Sequence, residues 1–138
     1  MIIDATDMIL GRLATQVAKK ALLGERVEVI NCEKAVISGS RADVIANYKQ
    51  KWGRTTIRKG PFIHRMPDRF VRRIIRGMLP YKQEKGSKAF KRIMCYVGTP
   101  KAFEGKQTEI VQIAHLSERQ PKNMVTVADV CKELGANI

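Results

Sequence analysis

Four arginines, Arg69, Arg72, Arg73 and Arg76, are the residues whose type and spacing most plainly suggest chemistry. At about 100° per helical residue they share a sector about 100° wide. Phe70, Val71, Ile74, Ile75, Met78 and Leu79 fall on the opposite side of that wheel. A face that only solvates a helix mixes signs and gains from pairs of opposite charge one turn apart. This face carries four like charges with no acid among them, so an anion opposite it would relieve their repulsion. Arginine's planar fork clamps phosphate oxygens bidentately and stacks on bases. Phosphate binding is therefore the expectation. A basic amphipathic helix can also lie on a membrane, but it then exposes its apolar side, which a small globule needs for its core.

Basic residues continue on both sides. Arg54, Arg58, Lys59 and Arg65 precede the helix, and Lys82, Lys85, Lys88, Lys91 and Arg92 follow it. Glycines at 53, 60, 77 and 86 allow close backbone approach. Irregular basic extensions of this kind follow a folded nucleic acid by shape and phosphate position. Trp52 could stack on a base, although a lone tryptophan at a helix end more often anchors a core.

Catalytic chemistry has little to build on. Asp4 and Asp7 follow a first apolar run and precede a glycine-led helix, where α/β folds place ligands. Neither a G-x-G-x-x-G nor a G-x-x-x-x-G-K-[ST] motif occurs, so no phosphate cradle is encoded. A cap or a turn is the commoner role for such aspartates. Cys32, Cys95 and Cys131 are far apart and each lies in an apolar run, which suits buried small hydrophobes better than a disulfide or zinc framework. A DNA regulator would want Asn, Gln or Ser beside Arg to read base edges, and the outer face offers arginine alone.

Positioning these residues requires a sheet. Ile2–Ala5 and Val27–Ile30 read as short strands around a helix from Arg12 to Leu23 that closes at Gly24. Ala35–Ser38 is a further extended piece, and Arg41–Gln50 a second helix. The arginine helix begins near Pro67, with Asp68 in its first turn, and stops at Pro80. Lys82 to Lys88 reads as a loop, and Arg92–Val97 and Glu109–Ile113 as strands. Thr126 with Asp129 predicts a capping box for a last helix through Leu134, closed by Gly135. Alternating strands and helices imply an α/β fold with parallel pairing. No linker or repeat divides the chain, which is expected to form one domain over residues 1–138.

Charge separates the possible partners. The chain of 138 residues has a net charge of +13, all of it within residues 41–92, while the flanking segments are each neutral. Such a band persists where a polyanion neutralises it. The opening Met-Ile-Ile-Asp has no basic leader, and no apolar run reaches membrane-spanning length, so a reduced, cytoplasmic setting is expected.

The string Gly77-Met78-Leu79-Pro80-Tyr81-Lys82, preceded by Gly60-Pro61-Phe62 and Arg65-Met66-Pro67, resembles the large-subunit ribosomal protein L13 family. Ile3-Asp4-Ala5-Thr6-Asp7 through Ala14 is similar to that family's N-terminus, as is Val29-Ile30-Asn31-Cys32-Glu33 ahead of Ser38-Gly39. The likeness runs on through Tyr96-Val97-Gly98-Thr99-Pro100. The histidine-rich stretch of bacterial members is missing, and the Gly-Thr-Pro and Gly-Pro-Phe elements resemble the archaeal and eukaryotic branch, with the short length favouring archaea. The resemblance implies a three-layer α/β sandwich around a mostly parallel four-stranded sheet, with a basic helical and loop extension. It also implies a structural, non-catalytic component of the large ribosomal subunit, without cofactor, that binds and organises large-subunit rRNA beside neighbouring ribosomal proteins. A structured-RNA-binding protein outside the ribosome is the alternative, and a nucleic-acid-processing enzyme using Asp4 and Asp7 a weaker one.

Overall fold

The computed structural model describes residues 1–118 and 120–138. Its elements in chain order are β1 (Ile2–Asp4), α1 (Leu10–Leu22), β2 (Val27–Ile30), β3 (Val36–Ser38), α2 (Arg41–Gly53), α3 (Pro67–Gly77), α4 (Glu84–Lys91), β4 (Ile93–Cys95), β5 (Met124–Thr126) and α5 (Val127–Glu133). The parallel sheet has the order β1-β2-β4, with Ile3 beside Val29 and Val29 beside Cys95. A separate antiparallel pair joins β3 to β5. The mixed α/β class with mostly parallel pairing is therefore as expected.

Successive strand residues point to opposite faces. Ile3, Val27, Val29, Ile93 and Cys95 are all buried on one face, where α1 and α3 cover them. Helix α1 supplies Leu13, Val17 and Ala21, and α3 supplies Phe70, Val71 and Ile75. Ile2, Asp4 and Met94 on the other face stay half-buried, and the chain after β4 crosses near them, with the Tyr96 and Phe103 rings 5.4 Å apart. Helix α1 ends in a Schellman motif: Gly24 has φ +106° and donates to the Ala21 carbonyl, while Glu25 donates to Lys20.

Three sequence expectations are corrected. The expected loop at Lys82 to Lys88 is mostly helix, α4. Buried Gly86 sits so close to the chain ahead that an added Cβ would lie 2.1 Å from the Pro80 carbonyl oxygen, so glycine is needed here for packing rather than for a turn. The expected strand Glu109–Ile113 contributes one parallel bridge, Ile3 to Glu109, before a 3₁₀ turn at Gln112–Ala114. The fourth strand of the sheet is thus reduced to that bridge. Strand β5 was not anticipated, because its three residues run directly into the cap of α5. Thr126 Oγ1 does accept from the Asp129 amide at 3.1 Å, but the Asp129 carboxylate turns outward to Arg41, so only half of the capping box forms.

Helix α2 runs three residues beyond its expected end and buries none of its side chains completely. It is held by the Tyr48 ring, 5.0 Å from Phe70, and by ion pairs to α5: Arg41 to Asp129 at 3.1 Å and Lys49 to Glu133 at 2.8 Å. The Lys49 ammonium holds the Glu133 carboxyl below its ordinary value.

Candidate nucleic-acid interface

Helix α3 divides largely as the wheel predicts, although Ile74 on the apolar side is only half-buried and Met78 beyond its end is exposed. Phe70, Val71 and Ile75 are buried, Arg69 is exposed, and Arg72, Arg73 and Arg76 are partly covered. Pro67 occupies the first turn, where its missing N–H costs nothing. The four arginines, with His64 and Phe90, line an open cleft of about 380 Å³. Among the described residues no acid lines it.

Aromatic rings hold several of the cations in place. The Arg72 guanidinium lies 4.4 Å from the Phe90 ring centre, Arg76 lies 5.0 Å from Tyr81, and Arg65 lies 4.8 Å from Trp52. Arg73 donates to the Phe62 carbonyl and ties the preceding loop to the helix. Among the described residues the buried Arg72 Nε finds no partner. A guanidinium stacked on a ring keeps its edge free, and that edge is what grips phosphate. Trp52 is 40% exposed, which corrects its expected role as a core anchor: it is a surface ring beneath Arg65.

The other candidates divide by position. Arg54, Arg58 and Lys59 stand exposed on the segment between α2 and α3. Paired hydrogen bonds between Thr56 and Gly60 pinch this segment into a tip, with Ile57 94% exposed. Lys82, Lys85 and Lys91 are exposed around α4. Lys88 pairs with Glu84 at 2.6 Å, and Arg92 donates to the Ala21 carbonyl at 3.3 Å, so both already have partners within the chain. Sequence reasoning missed Lys51 and His64. Lys51 lies 5.1 Å over the Tyr48 ring, and together with Arg54 and Arg73 it borders a second cleft of about 420 Å³ between α2 and α3. The wheel ended at α3, so nothing in the spacing could connect α2 to it.

Asp4 and Asp7 form no catalytic pair. The Asp4 carboxylate accepts from the Thr6 amide at 2.9 Å, the Thr6 hydroxyl at 2.7 Å and the Asn31 amide at 3.0 Å. Burial pulls its pKa upward, but the bonds from Thr6 and Asn31 outweigh that and hold it below the ordinary value. It closes the turn after β1. Asp7 is exposed, with φ +54°. Among the described residues no three His, Cys, Asp or Glu side chains gather as a metal site. The three cysteines are buried and free, and burial with the nearby Asp68 charge pushes Cys131 up to about 12. Among the described residues no helix is long and apolar enough to cross a membrane.

Fold and surface together define a small mixed α/β protein with a cleft lined by four arginines and, among its described residues, no cluster of metal-binding side chains. The chain belongs to the ribosomal protein L13 family, whose model matches residues 1–102. It is 41% identical over 135 residues to the large ribosomal subunit protein uL13 of Archaeoglobus fulgidus, covering 97% of this chain and 86% of that one. The uL13 protein of Methanopyrus kandleri is 43% identical over 136 residues, with 97% and 86% covered. That of Halobacterium salinarum is 41% identical over 138 residues, with 100% and 92% covered. The family is one of structural ribosomal components, not of enzymes, and these relatives are archaeal, as the sequence motifs implied.

Proposed function

We propose that this chain is a structural constituent of the large ribosomal subunit that binds and organises large-subunit rRNA through residues 41–92, acting as one domain over residues 1–138. The observation that carries this reading is the cleft lined by Arg69, Arg72, Arg73 and Arg76, free of acids among the described residues, with the Arg72 and Arg76 guanidinium groups stacked on rings. Folded RNA offers phosphates at close and fixed spacing, and rigid forks suit them better than mobile ammonium groups. Arg54, Arg58, Lys59, Lys82, Lys85 and Lys91 extend the contact along the backbone. The neutral C-terminal third, where Ile110 and Ile113 are exposed, is the surface suited to neighbouring ribosomal proteins.

The test is the salt dependence of binding to deproteinised large-subunit rRNA. Counterion release makes log K fall linearly with log salt, by about 0.7 to 0.9 per phosphate neutralised. With six to ten contacts, affinity should fall about three-hundredfold or more between 50 and 200 mM salt. A binding constant flat across that range would overturn the reading.

A further inference from the structure

We propose that the cleft between α2 and α3 receives one unpaired RNA nucleotide, its base against Tyr48 and Ile74 and its phosphate at Arg73. This rests on the RNA-binding reading above and names a specific ligand for part of the same surface. Two open clefts meet at Arg73, which lines both. The first, along the outer face of α3, is lined by four arginines with His64 and Phe90. The second, of about 420 Å³, has a different lining: Tyr48, Phe70, Ile74 and Pro61 supply apolar surface, and Lys51 and Arg54 supply charge beside Arg73.

That combination matches the parts of a nucleotide. A base has two flat apolar faces and stacks on aromatic rings, and its phosphate carries the single negative charge that three cations would meet. The volume lies within the range of sites for small molecules, about 300 to 1,000 Å³. Tyr48 is set for stacking because buried Phe70 supports it at 5.0 Å and a 58° tilt. Lys51 now lies over the Tyr48 ring at 5.1 Å, at the end of a flexible stem that an arriving base can displace toward the phosphate. Among the described residues no acid lines this cleft, so a basic peptide would find no counter-charge there. Bases inside a duplex are stacked and paired, so the nucleotide must come from a bulge or loop.

The test uses the full chain with two short RNA hairpins that differ only by a single bulged 2-aminopurine. The bulged hairpin should bind about tenfold tighter, since one base on an aromatic ring contributes 1–3 kcal/mol, and its fluorescence should be quenched on binding. Tyr48→Leu, which keeps the contact to Phe70 but removes the ring, should bring the ratio of the two affinities to about one. If that variant does not fold, 4-thiouridine at the bulge is irradiated with the unmodified protein. Crosslinks to the tryptic peptide of residues 42–49, which holds Tyr48, support the proposal, and crosslinks confined to other parts of the chain overturn it. Equal affinity of the unmodified protein for both hairpins overturns the nucleotide site while leaving RNA binding intact. Binding of neither hairpin at low salt overturns both.

Discussion

Several single residues have roles that residue type alone would not disclose. Gly86 is the clearest case. In sequence it reads as part of a Gly-Lys loop, yet it sits inside α4 because the Pro80 carbonyl occupies the space a side chain would need. Gly86→Ala places a methyl group against backbone, which cannot rotate away, so either α4 or the turn after α3 must shift. The unfolding free energy should fall by about 1–3 kcal/mol, the usual cost of overpacking, as read from urea denaturation. Unchanged stability would mean that the close approach is not maintained in solution. Asp4 carries the complementary lesson. Its place after a first strand gave it a possible catalytic meaning, and the three donors around its carboxylate show a turn-closing one. Trp52 and Arg65 lie 13 positions apart in sequence, and no periodicity relates them, so their stacking was invisible before the fold.

Among the elements, legibility followed the length and regularity of the apolar pattern. Helices α1 and α3 were readable because each repeats apolar residues over three turns and ends in recognisable residues, Gly24 and Pro80. Strand β5 was missed because its three residues run straight into the cap of α5. Glu109 reads in sequence as the start of a five-residue strand where only one bridge forms, since pairing is defined by the partner strand. Helix α4 was hidden by its glycine, although Glu84 and Lys88 stand one turn apart, where an ion pair supports a helix. The site divided the same way: the arginine face of α3 was legible, and the cleft it shares with α2 was not. Replacing Arg69, Arg72, Arg73 and Arg76 together with Gln tests α3 as a unit. Glutamine is about as good a helix former as arginine, and the buried face is untouched. The circular dichroism spectrum should be preserved, with stability reduced by less than about 3 kcal/mol as the stacking contacts are lost. The salt slope of rRNA binding should flatten by up to about four. Loss of the folded state would show that these arginines support the core rather than the interface.

For the molecule as a whole, stability is unevenly distributed. The core joins residues from Ile3 to Leu134, yet α2 contributes only partly buried side chains to it. Its ion pairs to Asp129 and Glu133 are substantially exposed, and solvent-screened pairs of that kind hold a helix only weakly. Amide hydrogen exchange should therefore open α2 and the tip at Ile57 well before α1, and added salt should widen the gap. Equal protection of α1 and α2 would refute this ordering. The stacked arginines act in the opposite direction. An arginine side chain has about 2 kcal/mol of rotamer freedom to lose when it is fixed in place. At Arg65, Arg72 and Arg76 much of that loss occurs when the chain folds, because Trp52, Phe90 and Tyr81 already confine the guanidinium groups. Part of the disorder that association would otherwise remove is thus gone before any partner arrives, and calorimetry of the encounter would register it as a smaller unfavourable entropy.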